Sequence, residues 1–298
     1  MSVFPFNSKR LDVAGFDYAY VDEGSGPAVV LVHGNPTWSF HFRELLAALP
    51  AAGYRAIAPD HIGMGRSAKP PVAAYPYTLD RRVADFAGFM ETIDGPVTLL
   101  VHDWGGAIAL AWAVDHPERV SRLVLLNTGA FPVPPDMRLP RALRMARSWP
   151  IGHLAVLRAN AFVRSATRFA VHRRMAADVR RGYREPYDSP AHRVGVLQFV
   201  KDIPLRPGDA AYARLRRTAE RLHLFADRPV LVCWGMRDFV FDRRLLARWE
   251  EIYPQAEVHR YADAGHYVLE DAADAIVPLV VDFLDRTELD RPANRSAR

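Results

Sequence analysis

Short apolar runs alternate with amphipathic stretches along most of the chain. Six of these runs predict β-strands, at residues 29–33, 55–59, 97–102, 123–127, 230–235 and 257–261. The inner runs are nearly continuous in valine, leucine and isoleucine, as is typical of parallel strands buried on both faces. The stretches between them predict helices at residues 40–49, 79–93, 106–115, 242–252 and 273–284. This alternation indicates an α/β fold with a mostly parallel sheet and helices on both faces.

The alternation is interrupted in the middle of the chain. It stops after Asn127 and resumes at Pro229, and the region between holds helical segments punctuated by proline, at residues 140–148, 151–164 and 191–202. Before the first parallel strand, two short runs around Gly15 predict an antiparallel hairpin, at residues 9–13 and 16–21.

These patterns predict one core domain with an insertion. We assign the core to residues 1–130 and 218–290, an inserted helical cap to residues 131–217, and a flexible polar tail to residues 291–298.

Charge separates the same region from the rest. Between Ala130 and Arg221 there are 18 arginines and one lysine against seven acidic residues, an excess of 12 positive charges. The remainder carries 20 basic and 27 acidic residues, so the net charge of +5 hides an asymmetry. A compositional break of this size supports a separate substructure.

Several functional classes are not expected. The single cysteine, Cys233, lies in an apolar run and is expected in the core, and no intramolecular disulfide can form. No apolar run is long enough for a transmembrane helix, so we expect a cytoplasmic protein. No Cys and His cluster has metal spacing and no phosphate loop occurs, so neither a metal nor a cofactor is expected. No nucleic-acid partner is indicated.

The segment VTLLVHDWGG, residues 97–106, carries the strongest chemical signal. A buried strand ends at a sharp turn before two glycines that open a helix, the arrangement called a nucleophile elbow. Asp103 occupies the position of the nucleophile, and a carboxylate there can attack carbon to form a covalent ester or anhydride. The alternative role of Asp103 is an ordinary helix N-cap.

Two neutral donors accompany this carboxylate. Asn35, in the turn after the strand at residues 29–33, can offer its side-chain amide, and Trp104 can offer its indole N–H. Such donors suit the binding of a leaving anion or an oxyanion. Turn chemistry before Pro36 for Asn35, and core packing for Trp104, are the structural alternatives.

A base and an acid complete the set. His266 follows Gly265 after the last predicted strand, where the general base belongs in the chain order nucleophile, acid, base. Asp238 follows the strand at residues 230–235, and a carboxylate there can orient the imidazole. The other possible position for the acid, at the end of the strand at residues 123–127, holds no carboxylate.

These motifs resemble a known family. HGNPTWS, PDHIGMGRS, VHDWGG, WGMRDFVF and DAGHYVLE are similar to the haloalkane dehalogenases of the α/β-hydrolase fold across nearly the whole chain. The resemblance implies that Asn35 and Trp104 are halide-stabilising residues. An acid at Asp238, with Asn127 where another subfamily has glutamate, is similar to only some of the subfamilies.

The cap resembles a narrower group. LNTGAFPVP, RRMAADVRRGYREPYDSPAHRV and FVKDIPL are similar to the β-lactone decarboxylases of bacterial long-chain olefin biosynthesis, which convert a cis-3,4-dialkyl-oxetan-2-one into a cis-alkene and carbon dioxide. Because substrate choice depends on the cap, this resemblance favours an apolar lactone as the substrate.

Alternatives remain at this point. A haloalkane dehalogenase would use the same residues with water, and an epoxide hydrolase would need tyrosines from the cap, where Tyr183, Tyr187 and Tyr212 occur. A binding protein would be expected to lack a catalytic residue. For the lactone reaction, attack at the ring carbon that bears oxygen and attack at the carbonyl are both open. The basic cap suggests docking to a β-lactone synthetase or to an anionic membrane surface.

Overall fold

Eight strands form one sheet in the computed structural model, which describes residues 3–134, 137 and 139–287. The strands are β1 (Lys9–Val13), β2 (Phe16–Glu23), β3 (Ala28–Val32), β4 (Arg55–Pro59), β5 (Val97–Asp103), β6 (Val120–Thr128), β7 (Val230–Gly235) and β8 (Glu257–Tyr261). Their order in the sheet is β1-β2-β4-β3-β5-β6-β7-β8. β2 is antiparallel to both β1 and β4, and the other neighbours are parallel. The predicted leading hairpin and mostly parallel sheet are confirmed.

The helices that alternate with the strands are α1 (Arg43–Ala51), α2 (Leu79–Met90), α3 (Trp104–Ala113), α10 (Arg243–Ile252) and α11 (Val268–Arg286). α1 packs against α11, and α2 packs against α3. α11 begins at Val268, five residues before the predicted start, because a kink at Ala272 joins a short first turn to the longer helix.

Burial explains the continuous apolar runs. Every residue of β3, β5 and β7 is buried, so these strands have no polar face. Cys233 lies in β7, and burial raises the pKa of its thiol to about 12. The prediction that Cys233 is a core residue rather than a reactive thiol is confirmed.

The chain between β6 and β7 forms a series of helices. They are α4 (Arg141–Arg147), α5 (Ile151–His153, continued by a π-helix at Leu154–Arg158), α6 (Ala161–Phe169), α7 (Ala177–Arg184), α8 (Val194–Lys201) and α9 (Ala210–Arg221). The predicted continuous helix at residues 151–164 is wrong. Asn160 adopts a left-handed conformation, with φ of 51°, and separates α6 from the preceding turn.

The predicted end of the cap at residue 217 falls inside α9, which packs against α2 and α3 of the core. Arg214 forms ion pairs with Asp80 and Asp115, and Arg217 and Arg221 pair with Asp115. Part of the positive charge in this region therefore attaches α9 to acidic residues of the core.

Two further sequence predictions concern the chain ends and the membrane. No helix within the described ranges is long and apolar enough to cross a bilayer. The predicted tail at residues 291–298 lies outside the described residues.

Candidate active site

Asp103 lies at the sharp turn between β5 and α3. Its backbone has φ of 53° and ψ of −126°, a conformation that costs a residue with a side chain about 1–3 kcal/mol. The following glycines permit the turn, because a Cβ on Gly105 would lie 2.0 Å from the carbonyl oxygen of Val32 and one on Gly106 would lie 2.0 Å from Thr128 Oγ1. The strained geometry is that of a nucleophile elbow.

The two carboxylate oxygens of Asp103 have different environments. Oδ1 accepts a hydrogen bond from the backbone N–H of Asn35 at 2.6 Å, and the backbone N–H of Trp104 also donates to the carboxylate. Oδ2 lies 3.5 Å from His266 Nε2. Burial raises the pKa of Asp103, although His266 and the two N–H groups oppose that rise. One oxygen is thus held by the backbone, while the other faces the imidazole.

His266 is held by Asp238 on its other side. His266 Nδ1 lies 2.8 Å from Asp238 Oδ2, and the ring stacks on Phe241 with an interplanar angle of 6°. Burial by itself lowers the pKa of His266, but the charges of Asp238 and Asp103 and the hydrogen bond that His266 donates to Asp238 outweigh it, so the net direction is upward. The structure therefore brings the three predicted residues Asp103, His266 and Asp238 into one chain of contacts.

Asp238 accepts hydrogen bonds on both of its oxygens. Oδ1 accepts from the backbone N–H groups of Val240 at 2.7 Å and Phe241 at 3.0 Å. Oδ2 accepts from Asn127 Nδ2 at 2.9 Å as well as facing His266. Four donors therefore surround this carboxylate and fix its orientation toward His266.

Asn127 is a positioning residue that sequence reasoning missed, since it was considered only as a position that lacks the acid. It adopts a positive φ of 33° near the end of β6. Its Oδ1 accepts from the backbone N–H of Gly235 at 2.8 Å, and its Nδ2 donates to Asp238. Asparagine is a residue that tolerates positive φ, and this property at a strand end was the available signal.

Asn35 and Trp104, the predicted side-chain donors, both line one cavity with Asp103. Asn35 Nδ2 donates to the carbonyl oxygen of Val196 in α8 at 3.2 Å. An amide nitrogen carries two hydrogens, so a second one remains for a ligand. The Trp104 ring packs edge-on against Phe199, also in α8, with centroids 5.5 Å apart. Both donors are thus positioned by contacts to the same helix of the cap.

Arg82 is a buried charge that packs against Phe199 and Trp104. Its guanidinium lies 3.8 Å from the centroid of Phe199 and 5.9 Å from that of Trp104, and it pairs with Asp202 at 2.7 Å. Nothing in the sequence marked this arginine, because its partner lies 120 residues away. The ion pair joins α2 to the C-terminal end of α8. The same helix, α8, contacts Asn35 through Val196 and Trp104 through Phe199.

The cavity has a volume of about 410 Å³ and is predominantly apolar. Its wall comes from both parts of the chain, for example Leu143, Val156 and Phe162 from the cap and Phe241 and Leu245 from the core. The polar groups of Asp103, Asn35, Trp104 and His266 are gathered at its lining. A wall of this composition suits a ligand with extended apolar substituents and one reactive polar group.

The three cap tyrosines considered for epoxide chemistry are absent from the lining of this cavity. The Tyr183 hydroxyl donates to Glu270 and contacts His41 Nδ1, and the Tyr187 hydroxyl donates to the carbonyl oxygen of Thr37. The hydroxyl groups of Tyr183 and Tyr187 therefore serve structural hydrogen bonds outside this cavity. Within the described part of the chain, no group of three His, Cys, Asp or Glu residues is placed to bind a metal.

Comparison with known proteins identifies the family of this chain. The chain belongs to the α/β-hydrolase fold family, whose model matches residues 27–273. It is 46% identical over 296 residues to the cis-3-alkyl-4-alkyloxetan-2-one decarboxylase of Xanthomonas campestris pv. campestris, covering 96% of this chain and 98% of that one. The protein of the same name from Shewanella oneidensis is 43% identical, over 96% and 91% of the two chains.

Haloalkane dehalogenases are more distant relatives. Several from mycobacteria are 32–34% identical to this chain. The crystal structure of the haloalkane dehalogenase DatA from Agrobacterium tumefaciens matches with a TM-score of 0.85 and 25% identity, over 94% of this chain and 97% of that one. The resemblances found in the motifs and in the cap are confirmed.

Proposed function

We propose that this protein is a β-lactone decarboxylase that converts a cis-3,4-dialkyl-oxetan-2-one into a cis-alkene and carbon dioxide, with Asp103 as nucleophile. The observation that carries the proposal is the identity of 46% and 43%, over nearly the full chain, to two proteins named as decarboxylases of such lactones. The dehalogenases, at 32–34%, share less of the sequence. The matched length includes the cap, which forms much of the cavity wall.

The first step is attack by Asp103 Oδ2 on the ring carbon that bears oxygen. The new bond joins Oδ2 to that carbon, and the ring C–O bond breaks with its electron pair going to oxygen. The products are an alkyl ester of Asp103 and a free carboxylate on the neighbouring carbon. The side-chain donors of Asn35 and Trp104 are suited to receive this carboxylate.

The second step is fragmentation of this adduct. The C–C bond to the free carboxylate breaks to release carbon dioxide, its electron pair forms the alkene, and the ester C–O bond breaks to return the Asp103 carboxylate. No water, oxidant or net proton is consumed. Inversion in the first step followed by anti fragmentation in the second gives a cis-alkene from a cis-lactone.

The donors around Asp103 favour this route over attack at the lactone carbonyl. Carbonyl attack would create an oxyanion on the substrate, which backbone N–H groups at an elbow normally stabilise. Here the N–H groups of Asn35 and Trp104 already donate to the carboxylate of Asp103 itself. The same donors would hold the ester carbonyl oxygen after alkyl attack and would stabilise the carboxylate as it leaves.

In this mechanism His266 has a different task from a hydrolytic base. Its raised pKa favours the protonated form, which can stabilise Asp103 as a leaving group from 3.5 Å away. A dehalogenase needs the neutral imidazole to take a proton from water. Haloalkane dehalogenation is the second candidate function. The observation that favours it is the pair of side-chain donors, Asn35 and Trp104, beside Asp103, since such a pair also suits a leaving halide.

The experiment that tests the proposal compares two substrates on one sample. We expect the wild-type protein to convert a cis-β-lactone to alkene, measured by gas chromatography, faster than it releases bromide from a 1-bromoalkane of similar length. Bromide release far faster than lactone consumption, or a β-hydroxy acid as the lactone product, would overturn the proposal.

A variant of the imidazole separates the two mechanisms. His266→Gln should accumulate an alkyl adduct on Asp103 with a bromoalkane, seen as a mass increase of the intact protein, because no base activates water. With the lactone, any adduct should still decay to alkene, because fragmentation needs no water, although without His266 the departure of Asp103 should be slower. His223→Gln, an exposed histidine in the same protein, serves as the matched control. A lactone adduct in His266→Gln that persists without any release of alkene would show that release is hydrolytic.

A further inference from the structure

Four large apolar side chains are exposed at one corner of the cap. Met145 in α4, Trp149 in the turn after it, Ile151 in α5 and Leu154 just beyond are 58%, 75%, 65% and 57% exposed. The other five tryptophans of the chain are buried. Contiguous exposed apolar residues of this size usually mark an interaction surface. We refer to these four residues as the apolar corner.

The apolar corner is held by close backbone packing. A Cβ at Gly152 would lie 2.4 Å from the carbonyl oxygen of Ala146, so α4 and α5 approach at a distance that only glycine permits. The backbone N–H of Gly152 donates to the carbonyl oxygen of Ser148 at 2.9 Å, and Trp149 packs edge-on against His153. Trp149 is therefore presented outward by an ordered turn.

Positive charge accompanies the apolar corner along the chain. Residues 141–168 contain six arginines and no acidic residue. Arg141, Arg144 and Arg158 are exposed, and no ion pair joins any of them to a described residue. The arginines of α9, in contrast, are paired with acidic residues of the core. Three exposed arginines without an ion pair in the described part of the chain therefore lie in the same stretch of sequence as the apolar corner.

The apolar corner is continuous with the cavity. Met145 belongs to the apolar corner and also lines the cavity. Phe169 and Phe239 lie outside the apolar corner, but they line the cavity too and are 66% and 47% exposed. Because these three side chains are both lining and exposed, they lie at the opening of the cavity. The apolar corner and this opening therefore share one edge.

We infer that the apolar corner is a membrane-docking surface for an anionic lipid bilayer. Trp149, Ile151 and Leu154 would enter the interfacial layer, where tryptophan is favoured, while the arginines contact the headgroups. A bilayer surface accounts for both features at once, since tryptophan and aliphatic side chains enter the interfacial layer and arginines bind anionic headgroups. An acidic protein partner is the other occupant that the experiments below distinguish. The docking surface depends on these residues alone, whereas its use in taking up an apolar lactone from the bilayer rests on the proposed function.

The first experiment measures binding to vesicles of phosphatidylcholine with and without phosphatidylglycerol. We expect binding only to the anionic vesicles, and weaker binding as the salt concentration rises, because exposed charges are screened within about 10 Å at 0.1 M ionic strength. Trp149 emission should shift to the blue and be quenched by brominated lipid, since it is the exposed tryptophan. Absence of binding to anionic vesicles at low salt overturns the inference.

Two sets of variants test the two components of the surface. The combined change Trp149→Ser, Ile151→Ser and Leu154→Ser should reduce partitioning at least about tenfold and abolish the emission shift. Reversal of the charges, with Arg141→Glu, Arg144→Glu and Arg158→Glu, should reduce partitioning at least about 100-fold, because each basic residue near such a surface contributes about fivefold.

A matched control changes the same charge elsewhere on the cap. Arg173→Glu, Arg174→Glu and Arg181→Glu remove equal positive charge from exposed positions around the start of α7. We expect a smaller loss of binding from this set than from the charge reversal at the apolar corner. A larger loss would overturn the inference and assign docking to that face. Binding of a purified lactone-forming synthetase through the apolar corner, without vesicle binding, would make it a protein interface.

The docking surface and the proposed function can fail separately. All surface variants should keep wild-type turnover of a short, water-soluble β-lactone, because none of the changed residues lines the cavity. Asp103→Ala should bind vesicles like the wild-type protein while losing turnover. Vesicle binding without lactone turnover in the wild-type protein would therefore reject only the decarboxylase proposal.

Discussion

Replacement of Asp238 by asparagine keeps the shape of the side chain and removes its charge. The carboxylate accepts from His266 Nδ1, Asn127 Nδ2 and the backbone N–H groups of Val240 and Phe241. These donors form two pairs, since Oδ1 accepts from the two backbone N–H groups and Oδ2 from the two side chains. An asparagine has a single acceptor oxygen, so it can serve only one pair. The other pair faces an NH₂ group.

One of the displaced donors has no alternative. Asn127 cannot turn its amide, because Oδ1 accepts from the N–H of Gly235 and Nδ2 also donates to the Gly235 carbonyl oxygen. His266 can adapt by moving its proton from Nδ1 to Nε2. A buried donor left without an acceptor costs about 1–3 kcal/mol, so Asp238→Asn should lower the free energy of unfolding by that amount near pH 9.

At lower pH the loss should be larger. In the wild-type protein the pKa of His266 is raised, so the folded state binds its proton more tightly than the unfolded state, where the pKa is about 6.5. This contribution to stability is fully present below that value and is lost as the pH rises through the folded pKa. Without Asp238 the imidazolium is buried without its main counter-charge, so the total loss near pH 6 should reach about 3–5 kcal/mol.

The measurement is urea unfolding of both proteins, followed by tryptophan fluorescence, near pH 6 and pH 9. Asp282→Asn is the control, since its carboxylate is exposed and pairs with Arg286 on the surface. The control should shift the midpoint by the same small amount at both pH values. Equal destabilisation by Asp238→Asn at the two pH values would refute the conclusion that Asp238 stabilises the charged form of His266.

Three further changes test the site. Trp104→Phe keeps a ring against Phe199 and removes the indole N–H, so kcat/KM for the lactone should fall about 10²–10³-fold, and an unchanged value would exclude the indole as a donor. A Cβ at Gly34 would lie 2.0 Å from Asp103 Oδ1, so Gly34→Ala should displace the carboxylate and lower kcat about 100-fold or more in the same assay. Asn127→Leu should lower the free energy of unfolding by about 1–3 kcal/mol in urea titrations, and an unchanged stability would contradict its positioning role.

Local patterns in the sequence were sufficient for the architecture. The apolar runs at β3, β5 and β7 predicted buried parallel strands because burial on both faces leaves a continuous apolar composition. Asp103 was identifiable because the elbow requires particular small residues within a few positions of it. The errors lie where composition is uninformative, as at Asn160, whose left-handed backbone breaks a pattern that otherwise continues as a helix.

The remaining features depended on contacts between residues far apart in the chain. Asn127 bonds Asp238 across 111 positions, and Arg82 pairs with Asp202 across 120, so neither contact leaves a local signature. The positive charge of the central region looked uniform in sequence. Only the packing of α9 on the core separated its paired arginines from the unpaired ones around the exposed Trp149. Composition fixes which charges exist, whereas the fold decides which of them meet an opposite charge and which remain at the surface.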